Sequence, residues 1–380
     1  MTRRKRALFL INSLTGGGAE RVMCTLLRHS EPERDEFDIS LAVLDKEQAG
    51  NSAPDWVDVH QFDCRFSMAR SIMAVRQLHA ALQPDVSLSF LTRANIANVI
   101  NARTPCVISE RAHTSHHFAK GLRGAVSRTM VRAVYPRASR VIAVSDGVAR
   151  DLRDNFGVPE STLVSIPNPV DADAIKEKAK EAPTIAIDAP FIMSAGRLVS
   201  VKNFAMLIRA FAAAGGDRKL LIAGEGEERG ALEQLARELG VAERVILPGY
   251  VANPYPMMAA ADIFILSSDS EGYPNALIEG MAVGRPVIAT NCNSGPSEIL
   301  AGKPRVAVSG ITYAEHGVLV PVDNADAMAE AIRTLDDPKK RADYGEKAAA
   351  RAASFSAGAI KDRYWDVLRE AMNAAPTHKR

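Results

Sequence analysis

"SSDSEGYPNALIEGMAVGRPVIAT", residues Ser267 to Thr290, carries two glutamates, Glu271 and Glu279, eight positions apart around a Pro-Asn pair. The apolar run just before it, "DIFIL", has the length of a buried strand. "SDSEGY" follows, dense in turn residues. Pro274 suits the first turn of a helix, and "NALIEGMAVG" reads as that helix, ended by Gly284 ahead of Pro286. The expected unit is strand, loop, helix, with Glu271 in the loop at the strand's carboxyl end and Glu279 about one and a half turns into the helix. N–H groups at the helix start offer a place for an anion. As an isolated pair, two such carboxylates are more often plain solvated charges, so their surroundings decide.

Upstream, "SAGRLVSVKN" places Arg197 and Lys202 just after another strand-like run, so a guanidinium and an ammonium project from the same end of a sheet. "AGEGEERGALE" sets Gly224 and Gly226 after a third run, where small residues allow close backbone approach. Cations for a diphosphate, a helix N-terminus and carboxylates for sugar hydroxyls together describe a nucleotide-sugar site.

The same alternation runs along the chain. "RALFLIN", "FDISLAVL", "DVSLSFL", "PCVISE" and "RVIAVS" recur in the first half, then "FIMSAG", "KLLIAGEG", "RVILPGY", "DIFILSS", "RPVIAT" and "GVLVP" in the second, with helical stretches between. Parallel strands joined by helices are the economical reading of an α/β chain. A Lys- and Ala-rich stretch after Pro167 and Pro169 interrupts the pattern. The expected organisation is an N-terminal, acceptor-binding Rossmann-like domain over 1–170, a linker over 171–189, a C-terminal, nucleotide-sugar-binding Rossmann-like domain over 190–355 and a closing helix over 356–380 that packs back on the N-terminal domain. A length of 380 residues also favours two domains. Two such sheets facing a central cleft would bind ligands at the carboxyl ends of their strands.

Apolar content of 47% with 24% charged residues excludes a disordered chain. No run of eighteen apolar residues marks a membrane span. The basic start "MTRRKR" precedes an apolar run that breaks at Asn12, which reads as a first strand and not a signal peptide. Cys24, Cys64, Cys106 and Cys292 lie far apart without paired or metal-type spacing, as expected of buried thiols in a reducing cytoplasm, and no metal site is expected.

The net charge of +2 hides an asymmetry, because between Arg111 and Ser145 there is no Asp or Glu against seven Lys and Arg residues. In "FAKGLRGAVSRTMVRAVY", Phe118, Leu122, Val126, Met130 and Val134 recur at helical spacing, with Lys120, Arg123, Arg128 and Arg132 on another face. That is the pattern of a helix on an anionic membrane surface. A core-packing helix with a solvated basic face fits equally.

"GRLVSVKN", "AGEGEERGALE", "ADIFILSSDSEGYPNALIEGMAVGRPVIAT" and the early "NSLTGGGAERV" together resemble the retaining glycosyltransferases of the group 1 family, over nearly the full chain. "GGGAER" and "NCNSGPSEIL" are most similar to members that extend polyprenyl-diphosphate-linked oligosaccharides, such as bacterial N-acetylgalactosaminyltransferases. The resemblance implies the GT-B fold and no cofactor. Arg197 and Lys202 would bind the donor diphosphate, Glu279 the ribose, and Glu271 the hydroxyls of the transferred sugar. Backbone amides around Gly272, Tyr273, Asn275 and Ala276 would complete the donor contacts. Gly16, Gly17 and Gly18 would let the acceptor approach, although a tight strand-to-helix turn accounts for them as well. Many relatives carry a histidine just after the strand matching "PCVISE", where this chain has "SERAHTSHH". Arg111 holds the near position, and His113 is favoured as the cleft histidine over His116 and His117.

The implied partners are a nucleotide sugar, with UDP favoured, a glycan acceptor on a polyprenyl diphosphate and the anionic inner face of the cell membrane, which the basic helix would meet as a peripheral cytoplasmic protein. A soluble acceptor, or a sugar-nucleotide binder without catalysis, stands as the alternative. A glycosidase acid/base pair at Glu271 and Glu279 is disfavoured by Arg197 and Lys202, since a glycosidase has no diphosphate to neutralise. A dinucleotide fingerprint from Gly16 fails at Arg21, where glycine is required. Nucleic acid is no expected partner, because aromatics are sparse in the basic segment.

Overall fold

The computed structural model describes residues 3–48, 50–117, 121–305 and 310–374, the side chains of 117, 122 and 123 excepted. The chain divides into two compact units, Met1–Pro169 with Ala357–Arg380, and Val170–Ser356.

The first unit holds β1 (Lys5–Ile11), β2 (Phe37–Val43), β3 (Asp58–Gln61), β4 (Val86–Phe90), β5 (Cys106–Glu110), β6 (Arg140–Ala143) and β7 (Leu163–Ser165). They form one parallel sheet in the order β3-β2-β1-β4-β5-β6-β7. β1 explains why its sequence is a continuous apolar run, since side chains alternate between the faces of a strand and both faces are covered. Phe9 and Ile11 pack with the helix Gly18–His29 and the C-terminal helix Ala357–Asn373. Leu8 and Leu10 pack with the helices Met68–Leu82 and Thr92–Asn101 on the other side.

The C-terminal helix is held by a dense set of contacts. The Trp365 ring lies 4.7 Å from Phe37 and 5.8 Å from Phe9, and its Nε1 donates to Ser30 Oγ at 2.8 Å. Lys361 Nζ sits 2.9 Å from Glu33 Oε1, and Arg369 spans Glu33 and Glu36. Trp365→Ala is expected to lower stability by about 3–5 kcal/mol. A lower urea midpoint with unchanged far-UV signal would show it, and an unmoved midpoint would contradict this packing.

The second unit holds β8 (Phe191–Ala195), β9 (Lys219–Ala223), β10 (Val245–Ile246), β11 (Ile263–Leu266), β12 (Val287–Thr290), β13 (Thr312–Ala314) and β14 (Gly317–Val320). Their order is β10-β9-β8-β11-β12-β14-β13. One strand departs from the all-parallel expectation. β13 pairs antiparallel with β14, because only Glu315 and His316 connect them and so short a link cannot make a parallel crossover. The core gathers Ile192, Leu220, Ile265, Ile288 and Val318 under the helix Phe204–Ala214.

The expected linker over 171–189 is corrected. The unit boundary falls between Pro169 and Val170, and the stretch opens with a helix, Ala172–Lys178, capped by Asp171 and with Ile175 buried. Its Lys and Ala residues are helix formers, not spacer.

All four cysteines are free and buried. Burial pushes the Cys24 thiol up to about 11 and those of Cys106 and Cys292 up to about 12. They are inert packing groups at neutral pH.

Candidate active site

In the second unit the strand order reverses between β8 and β11, and in open α/β sheets the crevice for ligands forms at that point, outside the carboxyl ends. Lys202 follows β8 and Glu271 follows β11. Lys202 ends a single 3-10 turn, Ser200–Lys202, and Asn203 then takes a left-handed conformation with φ 45°. Asn203 caps the helix Phe204–Ala214 by accepting from Met206 N at 3.1 Å, while its Nδ2 donates to Asp269 Oδ1 at 2.8 Å and Asp323 Oδ1 at 3.0 Å. The cap therefore stitches the β8 loop to the β11 loop.

The stitching brings the candidate charges together. Lys202 Nζ lies 2.5 Å from Glu271 Oε1, and Ser268 Oγ donates to the same oxygen at 2.6 Å. Ser267 Oγ donates to the Lys202 carbonyl at 2.7 Å, and Asp269 N to the Val201 carbonyl at 2.9 Å. Ser294 Oγ bonds the Glu271 carbonyl at 2.5 Å. Ser268, Asn203, Asp269 and Ser294 were not singled out in the sequence, although all four lie inside the motifs that were. Burial raises the Asp269 carboxyl pKa, with the Asn203 amide opposing and the Asp323 charge adding. Arg197, in the loop between β8 and that turn, is exposed, and among the described residues it makes no ion pair.

Glu279 is 6% exposed, on the helix Asn275–Ala282. This helix rides close on β11, since a Cβ at Gly280 would come within 2.8 Å of Phe264 Cγ. Pro274 is its N-cap, with no side-chain cap and no acidic residue in the first turn, so the end keeps its partial positive charge for an anion. The Tyr273 ring packs edge-on to Phe355 at 5.7 Å, which leaves the backbone as what Tyr273 offers a ligand. Gly295, at φ 93°, packs on this corner, and a Cβ there would lie 2.7 Å from Pro274 Cδ and 3.0 Å from the Gly272 carbonyl. Gly272, Asn275 and Ala276 thus sit at one helix start beside Glu271.

Gly224 and Gly226 have a packing reason apart from any ligand. Gly196 N bonds the Ala223 carbonyl at 3.0 Å and Leu198 N the Glu225 carbonyl at 2.8 Å, continuing the β8–β9 ladder into the two loops. A Cβ would strike Gly196 O at 1.8 Å from Gly224, and Leu198 O at 2.2 Å from Gly226. Their small size serves loop-to-loop contact.

In the first unit, Gly16, Gly17 and Gly18 form the turn between β1 and the helix Gly18–His29, with Gly17 as N-cap. Gly50 N and Asn51 N both bond the Leu14 carbonyl, and a Cβ at Gly17 would lie 2.2 Å from Glu20 Oε2. A carboxylate is thus folded over this helix start. That charge disfavours a phosphate at this turn.

After β5, Arg111 does not project freely. Its guanidinium stacks over Phe90 at 4.7 Å, donates to Tyr364 OH at 2.6 Å and bonds Asn168. His113 Nδ1 lies 3.5 Å from Asp151 Oδ2 and 3.0 Å from His116 Nδ1. Asp151 also takes Ser115 N at 2.9 Å, so His113 belongs to a packed polar cluster.

The apolar stripe expected on the basic helix is corrected. On Leu122–Val134, Val131 and Val134 are buried while Val126 is 54% exposed, so the residues read as one stripe lie on different faces. The 3.6-residue turn carries positions four apart steadily round the axis, and packing takes the face that includes Val131. Arg128 donates to the Ser115 carbonyl at 3.2 Å and Arg132 to the Asn155 carbonyl at 2.7 Å. Lys120 and the Arg123 side chain lie outside the described residues, as do Phe118 and the His117 side chain.

The family model described as Glycosyl transferases group 1 matches residues 175–351, and the Glycosyltransferase Family 4 model matches 16–174. A Campylobacter jejuni protein named N-acetylgalactosamine-N,N'-diacetylbacillosaminyl-diphospho-undecaprenol 4-alpha-N-acetylgalactosaminyltransferase is 33% identical over 91% of this chain and 94% of its own length. The chain belongs to the group 1 glycosyltransferases. A second Campylobacter jejuni relative, a GalNAc-alpha-(1->4)-GalNAc-alpha-(1->3)-diNAcBac-PP-undecaprenol alpha-1,4-N-acetyl-D-galactosaminyltransferase, is 26% identical to this glycosyltransferase over 96% of the chain and 99% of the relative. Among solved structures, Anabaena HepE with UDP and glucose superposes with a TM-score of 0.77 at 20% identity, over 97% of this chain and 100% of that one. Sucrose-phosphate synthase of Thermosynechococcus elongatus gives 0.82 at 18%, over 98% and 100%. At these identities the likeness establishes the GT-B fold class, with its two α/β units, and nothing finer.

Proposed function

We propose that this glycosyltransferase moves a hexose or N-acetylhexosamine from a UDP-sugar, with retention, to a glycan on a polyprenyl diphosphate, for a surface polysaccharide or a glycoprotein glycan. The observation that carries the donor half is the Lys202–Glu271 contact at the β8/β11 reversal, beside a helix start that suits a diphosphate. The polyprenyl acceptor is supported by the printed activities of the two Campylobacter relatives.

In this reading Arg197, Lys202 and the N–H groups of the Asn275–Ala282 helix take the diphosphate. Glu279 holds the ribose hydroxyls and Glu271 those of the transferred sugar. The bond from the anomeric carbon to the diphosphate oxygen breaks, and the acceptor oxygen bonds that carbon from the same face. The acceptor proton passes to the departing phosphate oxygen, so no protein nucleophile is used. Preorganised positive charge lowers the barrier by meeting the negative charge that grows on the leaving group. Gly16 to Gly18 and His113 stay candidates for the acceptor side.

The proposed station is the inner face of the membrane, held peripherally; no helix among the described residues is long and apolar enough to cross it. Exposed Val126 with Arg128 and Arg132 supports that contact.

The test incubates the protein with UDP-GalNAc and an undecaprenyl-diphosphate-linked GalNAc-diacetylbacillosamine in anionic vesicles. Expected is a trisaccharide whose new anomeric coupling is alpha, with the protein pelleting alongside the vesicles and released when Arg128 and Arg132 become Glu. A beta product would overturn retention, transfer to water-soluble sugars alone would overturn the lipid acceptor, and indifference to the charge reversal would overturn the docking.

A further inference from the structure

The loop between β3 and the helix Met68–Leu82 holds Arg65 at φ 50° and Phe66 at φ 57°, two successive non-glycine residues in the left-handed region. That conformation is unfavourable for any residue with a Cβ and persists only where surrounding contacts enforce it. Here they do. Phe66 N donates to Asp45 Oδ1 at 3.0 Å, and Asp45, which follows β2, is 3% exposed. Arg93, which follows β4, clasps the same carboxylate with both terminal nitrogens and donates to Ser71 Oγ at 3.1 Å. Its guanidinium lies 5.9 Å from the Phe66 ring centre. Phe66 is nevertheless 68% exposed.

The strain therefore does not bury an apolar side chain; it presents one. All strands of this sheet are parallel, so the segments after β3, β2 and β4 share one edge, that of the carboxyl ends, and the glycine turn after β1 opens on the same edge. We propose that Phe66 is an acceptor-binding residue, a fixed aromatic platform on which a pyranose ring of the acceptor glycan stacks. A pyranose offers one apolar face of C–H groups to the negative face of an aromatic ring and hydroxyls around its rim. The neighbours of Phe66 suit that rim, since Arg65 and Asp63 form an exposed pair at 3.3 Å. A polyprenyl tail would call for a continuous apolar patch, and within this loop Phe66 is flanked by Arg65 and Ser67. The inference rests on the proposed glycan acceptor.

The experiment compares the parent with Phe66→Ala and Phe66→Tyr, using UDP-GalNAc and the lipid-linked disaccharide above. Phe66→Ala is expected to raise the acceptor KM about fivefold or more, with Phe66→Tyr near the parent and UDP-induced thermal stabilisation the same in all three. An unmoved acceptor KM overturns the platform, as does an equal rise in donor KM. Loss of vesicle pelleting in Phe66→Ala assigns the ring to lipid and also overturns it. Should the parent fail to use this acceptor, the functional reading falls by itself. The platform is then decided by NMR saturation transfer to methyl N-acetylhexosaminides, whose signal must weaken in Phe66→Ala or the proposal fails.

Discussion

Lys202→Ala is expected to lower kcat about 10²- to 10³-fold, the usual loss when one preorganised donor facing developing charge is removed. Lys202 is fixed by its turn, by the Ser267 bond to its carbonyl and by the Asn203 cap that follows it, so its ammonium reaches the crevice without being ordered by the ligand. Lys202→Arg should recover little, because Lys202 Nζ and Ser268 Oγ converge on the single oxygen Glu271 Oε1, a contact made by a point charge that a planar fork does not reproduce. Steady-state rates with saturating donor decide it. Less than a threefold loss would remove Lys202 from the chemistry.

Glu271→Gln is expected to lower kcat about 10- to 100-fold, the equivalent of a hydrogen bond to a charged group. The amide keeps the shape of the carboxylate and loses the charge that accepts from Lys202 and Ser268. Because the two residues share one contact, their effects do not add. The double variant Lys202→Ala with Glu271→Gln should fall well short of the product of the single losses. A strictly multiplicative result would mean that the 2.5 Å contact has no part in turnover.

The central strands were legible in the sequence because both their faces are covered, which forces unbroken apolar runs such as "ALFLI" and "DIFIL". Three of the four edge strands were not, β10 having been announced by "RVILPGY". β3 buries almost nothing, β7 and β13 are three residues long, and such segments carry no periodic signal. The 171–189 stretch misled for a related reason: a short polar helix anchored through Ile175 has the composition of a spacer.

At the site, residue types and strand-end positions could be read, while contacts between loops 69 positions apart could not. Gly224 and Gly226 show the limit from the other side. Their glycine was noticed, but the backbone they approach is Gly196 and Leu198, which no spacing in the sequence reveals. Phe66 had no signal at all, since nothing in "DCRFSM" announces a left-handed backbone in non-glycine residues.

The central claim, a UDP-sugar site at the β8/β11 reversal, is tested most directly by thermal unfolding of the parent and of Glu279→Ala with UDP, GDP, ADP or NAD present. A ligand that binds only the folded chain raises Tm, by about 2.7 kcal/mol of stabilisation at a hundredfold excess over Kd. The account predicts that UDP alone raises the parent's Tm and that Glu279→Ala loses the rise. Stabilisation by NAD alone, or an undiminished UDP effect in Glu279→Ala, would contradict it.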